Sequence, residues 1–212
     1  KLVEPVIEEE EEHPVNFNPY TGPFLSIQDA FNKSIQSMRV PIDKVKVPND
    51  NCEALAKAIS RGTARIVSNG SFDPDSKKGT AALFMFTGES KLNLLKAATW
   101  TFGHKEDQSA YRSELTGVVL GLSIIATMVE YFDLTKGEVE FAFDNKSGEH
   151  KVENLTEDIH ITNKCFDLLQ DIKHCLELLS IQVRFRWVKG HVRETGATMD
   201  WWETSTIKLT NL

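Results

Sequence analysis

Cysteine is scarce in this chain, and Cys52, Cys165 and Cys175 form no framework. An odd, sparse set without a CxxC pair argues against a structural zinc site and suggests an intracellular, reducing compartment. Cys165 and Cys175 fall on one predicted helix about 15 Å apart, too far to bridge. Long hydrophobic runs are lacking too. The longest, Gly117 to Val129, is shorter than the roughly 20 residues that cross a bilayer, and it carries helical periodicity. The amino end lacks the basic, apolar and small-residue succession of a secretion signal. The chain starts at Lys1, so an upstream segment is expected. Positive charge is also in deficit: 24 Lys and Arg against 31 Asp and Glu give −7, which argues at first against a nucleic-acid face. The deficit is local, however. Lys1 to Pro14 contains Glu4 and the run Glu8 to Glu12 against one lysine, so about −5 lies there and the remainder is close to neutral. A basic patch on that remainder is compatible with the numbers.

What is present suits one sizeable domain with an added segment. Residues 1–24, an acidic block followed by "HPVNFNPYTGPF", have no periodicity and read as a solvated, disordered tail rather than a docking peptide. Residues 25–62 read as a helical or linker extension: "LSIQDAFNKSIQSM" has helical spacing, "VPIDKVKVP" breaks it with prolines, and "NCEALAKAISRG" is a short helix ended by Gly62. From residue 63 the pattern changes. "ARIVSNGSF" and "GTAALFMFTG" read as strands joined by a turn at "DPDSKK", with "KAATWTFG" as a third. Leu115, Val118, Val119, Leu122, Ile125, Ala126, Val129 and Phe132 then mark one face of a long helix. "GEVEFAFDN" is a buried strand, "TNKCFDLLQDIKHCLELL" a helix and "IQVRFRWVKG" a last strand before a helical end. Three sequential strands suggest an antiparallel meander; strands reached through helices suggest parallel pairing. The expected fold is α/β, a five-stranded mixed sheet with helices on its faces.

Acidic residues at strand ends near the middle of such a sheet would meet in one cleft. Glu114, placed in the first turn of the long helix, and Asp144, ending "VEFAFD", are the candidates; Asn69 holds the equivalent place in the first strand. Mg²⁺ requires oxygen ligands, and two such ions about 4 Å apart could activate water and stabilise a leaving oxygen in phosphodiester hydrolysis.

The ordered segments "VSNGSFDPDSKKGTAALFMF", "SAYRSELTGVVLGL", "EFAFDNKSG", "FDLLQDI" and "RFRWVKGHV…MDWW" resemble the ribonuclease H domain of retroelement (retrotransposon) reverse transcriptases over roughly residues 64 to 212. The resemblance implies four carboxylates. Glu114 matches the Glu of the "YR(S/A)E" motif and Asp144 the Asp of "DN", which makes both catalytic and metal-binding positions. Asn69 stands at the Asp of "DGS", and an ungapped alignment from Asp200 puts Thr210 at the last Asp. Asn69 brings no negative charge, and Thr210 offers only a hydroxyl. Asp200, Glu194 or Glu203 could substitute for Thr210, Asp200 first among them, although Asp200 could equally cap the last helix. His191 in "VKGHV" matches the mobile histidine that helps product leave.

For nucleic acid, Gly70 and Ser71 could admit a strand closely, Asn145 could bond a 2′-hydroxyl, and Lys189 could meet a phosphate. Arg184 and Arg186 alternate on a strand as a solvated face would. For Glu114 the bland alternative is a first-turn acid favoured by the helix dipole; for Asp144, a loop cap.

The losses at Asn69 and Thr210 together favour a domain that has left catalysis and serves as a binding or structural module with protein partners in a larger assembly. Mg²⁺ binding would then be weak or absent. The alternative is a two-metal ribonuclease acting on RNA/DNA hybrids, inactivated by an engineered Asn69.

Overall fold

In the computed structural model, residues 25–37, 44–88, 90–143 and 161–188 are described. Helix α1 (Ile27–Ser37) precedes a short strand β1 (Lys44–Lys46) and helix α2 (Glu53–Ser60). Strands β2 (Ala64–Asp73), β3 (Lys78–Thr87) and β4 (Ser90–Trp100) follow, then a 3₁₀ turn (Lys105–Asp107) and the long helix α3 (Ala110–Tyr131). Strand β5 (Glu138–Phe143), helix α4 (Phe166–Leu178) and strand β6 (Gln182–Trp187) complete the described elements.

The sheet order is β1-β4-β3-β2-β5-β6. Strands β2, β3 and β4 form the expected antiparallel meander. Strand β5 joins β2 in parallel and β6 joins β5 in parallel, each after a helical crossover. The sheet has six strands rather than five, because Lys44, Val45 and Lys46 pair with Ala98, Ala97 and Lys96 along the outer edge of β4. Three residues between two prolines are too short for an alternation to be read. Lysines on such a short edge strand discourage further pairing. The third strand also begins earlier than the sequence suggests, at Ser90, and ends at Trp100.

The segment read as an extension contributes to the same core. Ile27, Phe31, Leu55 and Ile59 are buried in one cluster with Ile66, Leu83, Met85, Leu115, Leu122 and Phe141. The start of α1 is fixed locally: Ser26 Oγ accepts from Asp29 N at 3.1 Å while the Asp29 carboxylate accepts from Leu25 N. Val67, Phe84, Phe86, Ala142 and Val188 form a second, smaller cluster. The period-two alternation of β2 sets Ala64 and Ile66 toward the helices and Val67 away from them.

Helix α3 is the central packing element. By length and composition its 22 residues could cross a membrane, unlike the shorter run counted in the sequence, but 83% of its most apolar window is buried inside the protein. It is therefore a core helix of this fold. Glycine lets it lie close to the sheet. A Cβ on Gly121 would collide with the Phe141 ring, and one on Gly117 would stand 3.2 Å from Ser68 Cβ. Each helical glycine costs about 1 kcal/mol against alanine, and close apposition to β2 and β5 offsets that.

Candidate functional site

Strand β2 and the start of α3 meet at Gly70. A Cβ there would collide with Glu114 N and Ser113 C and stand 2.8 Å from Ser113 O. Only glycine permits this approach, and it sets the Glu114 backbone beside the Asn69–Gly70 peptide. Gly70 thus has a reason internal to the fold, distinct from the close passage of a nucleic-acid strand expected of it. Ser71, its neighbour, is exposed and pairs with Thr80 in the β2–β3 ladder.

Glu114 is only 8% exposed and Asn69 9%. Alternation along β2 turns Asn69 to the side opposite Gly70, the side of Val67. Glu114 is the fifth residue of α3, not a first-turn residue, since the helix begins at Ala110 behind the Ser109 cap. The helix dipole fades within the first turn, so it does not account for a carboxylate buried at this place. Burying a carboxylate is costly unless a cation or hydrogen bonds meet it. Parallel pairing sets Ala142 beside Val67, which brings the end of β5 toward Asn69.

Several side chains fix the entry to α3. Ser109 Oγ accepts from Arg112 N at 3.1 Å. Ser113 Oγ and Thr101 Oγ1 are 2.9 Å apart, joining the helix to the end of β4. The Gln108 amide donates to the carbonyls of Phe102 (3.1 Å) and Gly103 (3.3 Å). Arg112, 3% exposed, donates from Nε to Phe102 O at 2.5 Å and from Nη1 to Asp167 Oδ1 at 3.0 Å. Its Nη2 closes a second bond to Asp167 Oδ2, making a bidentate pair between α3 and α4. Burial pushes the Asp167 carboxyl up, but the Arg112 hydrogen bonds and charge outweigh it and leave the group below the usual carboxylate range. This clamp holds the turn that carries Glu114 in place, and sequence reasoning does not find it. The signals are Arg112 in "YRSE" and Asp167 in "FDLL", each within a motif but with nothing local to pair one with the other.

The structure brings Asn69, Gly70, Ser71 and Glu114 into one neighbourhood. Asp144, Asn145, Lys189, His191, Glu194, Asp200, Glu203 and Thr210 lie outside the described residues. Among the described residues, no group of three or more His, Cys, Asp or Glu side chains is placed to hold a metal ion. Of these candidates, Glu114 brings a carboxylate, and Asn69, turned to the side of β2 opposite Gly70, a neutral amide. Arg184 and Arg186 lie on the solvated side of β6 and pair with Glu138 (2.8 Å) and Glu140 (3.2 Å).

The sequence matches no protein-family profile and no curated protein. Among solved structures, it is similar to the N-terminal RNase H domain of a Mycobacterium tuberculosis protein, solved as a fusion with maltose binding protein: 13% identity, TM-score 0.47, covering 69% of this chain and 94% of that one. It is also similar to LC11-RNase H1, solved in complex with an RNA/DNA hybrid: 13% identity, TM-score 0.49, covering 63% of this chain and 88% of that one. At such identities and scores, what this chain does rests on its own residues.

Proposed function

We propose that this chain carries a ribonuclease H-like domain of retroelement reverse-transcriptase descent that has lost catalysis and works as a binding or structural module in a larger assembly. The observation that carries the reading is Asn69. It occupies the buried strand position beside Gly70 and Glu114, where the family's motif has an Asp. A hydrolytic site built on two divalent cations requires several converging carboxylates to balance them. A neutral amide at the centre withdraws one charge, and Thr210 withdraws a second at the far end of the motif series. Glu114 with Asp144 would then hold at most one Mg²⁺, and weakly. Nucleic acid, an RNA/DNA hybrid in particular, is the ligand that the kept motifs suit. Its hold on the domain would come from backbone contacts rather than from chemistry.

A second reading has one observation in its favour. The close approach at Gly70 and the clamped start of α3 fix the backbone around Glu114, the residue that matches the family's Glu. An active-family ribonuclease disabled by an engineered Asn69 would look the same at these residues. Metal-dependent cleavage of an end-labelled RNA/DNA hybrid, by this chain and by Asn69→Asp, separates the two. We expect neither protein to cut in Mg²⁺ or Mn²⁺ while hybrid binding, read by fluorescence anisotropy, persists in both. Cleavage by Asn69→Asp sinks the loss of catalysis and restores the nuclease reading.

A further inference from the structure

We propose that a lysine-rimmed pocket beside this site binds an unpaired nucleotide of a single-stranded nucleic acid, its base on Trp100 and its phosphates among Lys77, Lys78 and Lys105. The inference rests on the reading of the domain as a nucleic-acid module, and it concerns Trp100, Lys77, Lys78 and Lys105, to which the resemblance assigns no role. The pocket lies between the β2–β3 turn and the connection from β4 to α3. Its volume is about 480 Å³, within the roughly 300–1,000 Å³ of small-ligand sites.

Its chemistry is that of a nucleotide. Trp100 is 55% exposed, although large aromatic side chains are mostly buried, and it is one of the residues that line the pocket. Lys77, Lys78 and Lys105 are exposed around it, and among the described residues none of them makes an ion pair. The arginines of β6, by contrast, are matched with glutamates. Of the nearby acids, Asp73 accepts from Ser76 Oγ at 2.6 Å and Asp75 N at 3.1 Å, bonds that, together with the charge of its register partner Lys78, lower its carboxyl pKa. Glu106 and Asp107 flank Lys105 without lining the pocket. Ser76, Thr101 and Gln108 add hydroxyl and amide groups.

Both walls are set before any ligand arrives. Asp73 shapes one by its hydrogen bonds, and Gln108 and Arg112 tie down the other through the carbonyls of residues 102 and 103. Thr101 N donates to Gly79 O at 2.8 Å and joins the two. Ser113, one residue before Glu114, touches this seam through Thr101, so the pocket adjoins the candidate site. An exposed tryptophan distinguishes among nucleic acids. A duplex keeps its base faces stacked inside and offers phosphates, whereas a single strand offers both a free face and a phosphate.

The test is anisotropy of a fluorescein-labelled 12-nucleotide single strand, with an RNA/DNA hybrid in parallel, for the full chain, Trp100→Ala and Lys78→Glu/Lys105→Glu. These side chains are exposed, and circular dichroism melts check that the variants fold. The chain should bind the single strand in low salt, and Trp100→Ala should weaken it about tenfold, the order of one base–aromatic stack. The double lysine variant should lower the slope of log K against log salt by about 0.7 for each phosphate it no longer neutralises. A chain that binds no single strand, or folded variants that bind it as the parent does, overturns the proposal. Hybrid binding without single-strand binding overturns the pocket alone. Hybrid cleavage by Asn69→Asp overturns the wider reading and leaves the pocket standing.

Discussion

Asp167→Ala removes the partner of a guanidinium that cannot follow it into water. The Arg112 side chain is 4% exposed, held at Phe102 O and packed under Gly103, whereas Asp167 is 49% exposed. Breaking a fully buried pair costs about 3–5 kcal/mol, and an exposed pair no more than about 1. A pair buried at one end falls between, so we expect about 2 kcal/mol after allowing for solvent screening at the carboxylate. In a domain of this size each kcal/mol moves the melting temperature by about 2–4 °C, giving a fall of about 4–8 °C. Asp167→Asn keeps an acceptor but loses the charge, and should lie midway. The effect also carries a pH signature. The folded-state pKa of Asp167 is lowered, with burial opposing and the Arg112 bonds prevailing. Its contribution is therefore complete above the unfolded value near about 3.9 and vanishes as pH falls through the folded value. Urea and thermal unfolding followed by circular dichroism at pH 7, 5 and 3 should show a constant gap between parent and Asp167→Asn at the first two, narrowing at the third. Equal melting temperatures at pH 7, or a gap indifferent to pH, would refute the clamp.

Two further perturbations address packing. Gly70→Ala drives a methyl into the backbone of Ser113 and Glu114, which cannot rotate aside; overpacking usually costs about 1–3 kcal/mol, and here we expect at least the upper end. A urea midpoint unchanged from the parent would show that β2 and α3 are not so closely apposed. Phe31→Ala opens a cavity in the core from the segment before residue 63, where Phe31 is fully buried. A loss of about 3–5 kcal/mol is expected, and a negligible loss would show that α1 is a dispensable extension.

The elements of this fold were legible because their signals are local. Alternation in "ARIVSNGSF" and the spacing of Leu115, Val118 and Leu122 arise from the geometry of one strand and one helix, and the structure has both there. The antiparallel meander followed from short connections, and the parallel strands from intervening helices. Strand β1 escaped because three residues carry no period of their own; its place depends on the open edge of β4. The role of residues 25–62 escaped for a related reason: an amphipathic helix shows that it has an apolar face, not what that face will cover.

The neighbourhood of the site divides in the same way. By itself the sequence determined that Asn69 is neutral, that it lies within a strand, and that Glu114 follows an Arg-Ser pair on a long helix, since identity, order and local period need no third dimension. Only the tertiary structure decided that Gly70 must be small, that Arg112 is matched by Asp167 across 55 residues, and that Trp100 shares a pocket with Lys77, Lys78 and Lys105. Those are meetings between elements distant in the chain. Side-chain volume and charge create them only after the sheet and helices have been brought together.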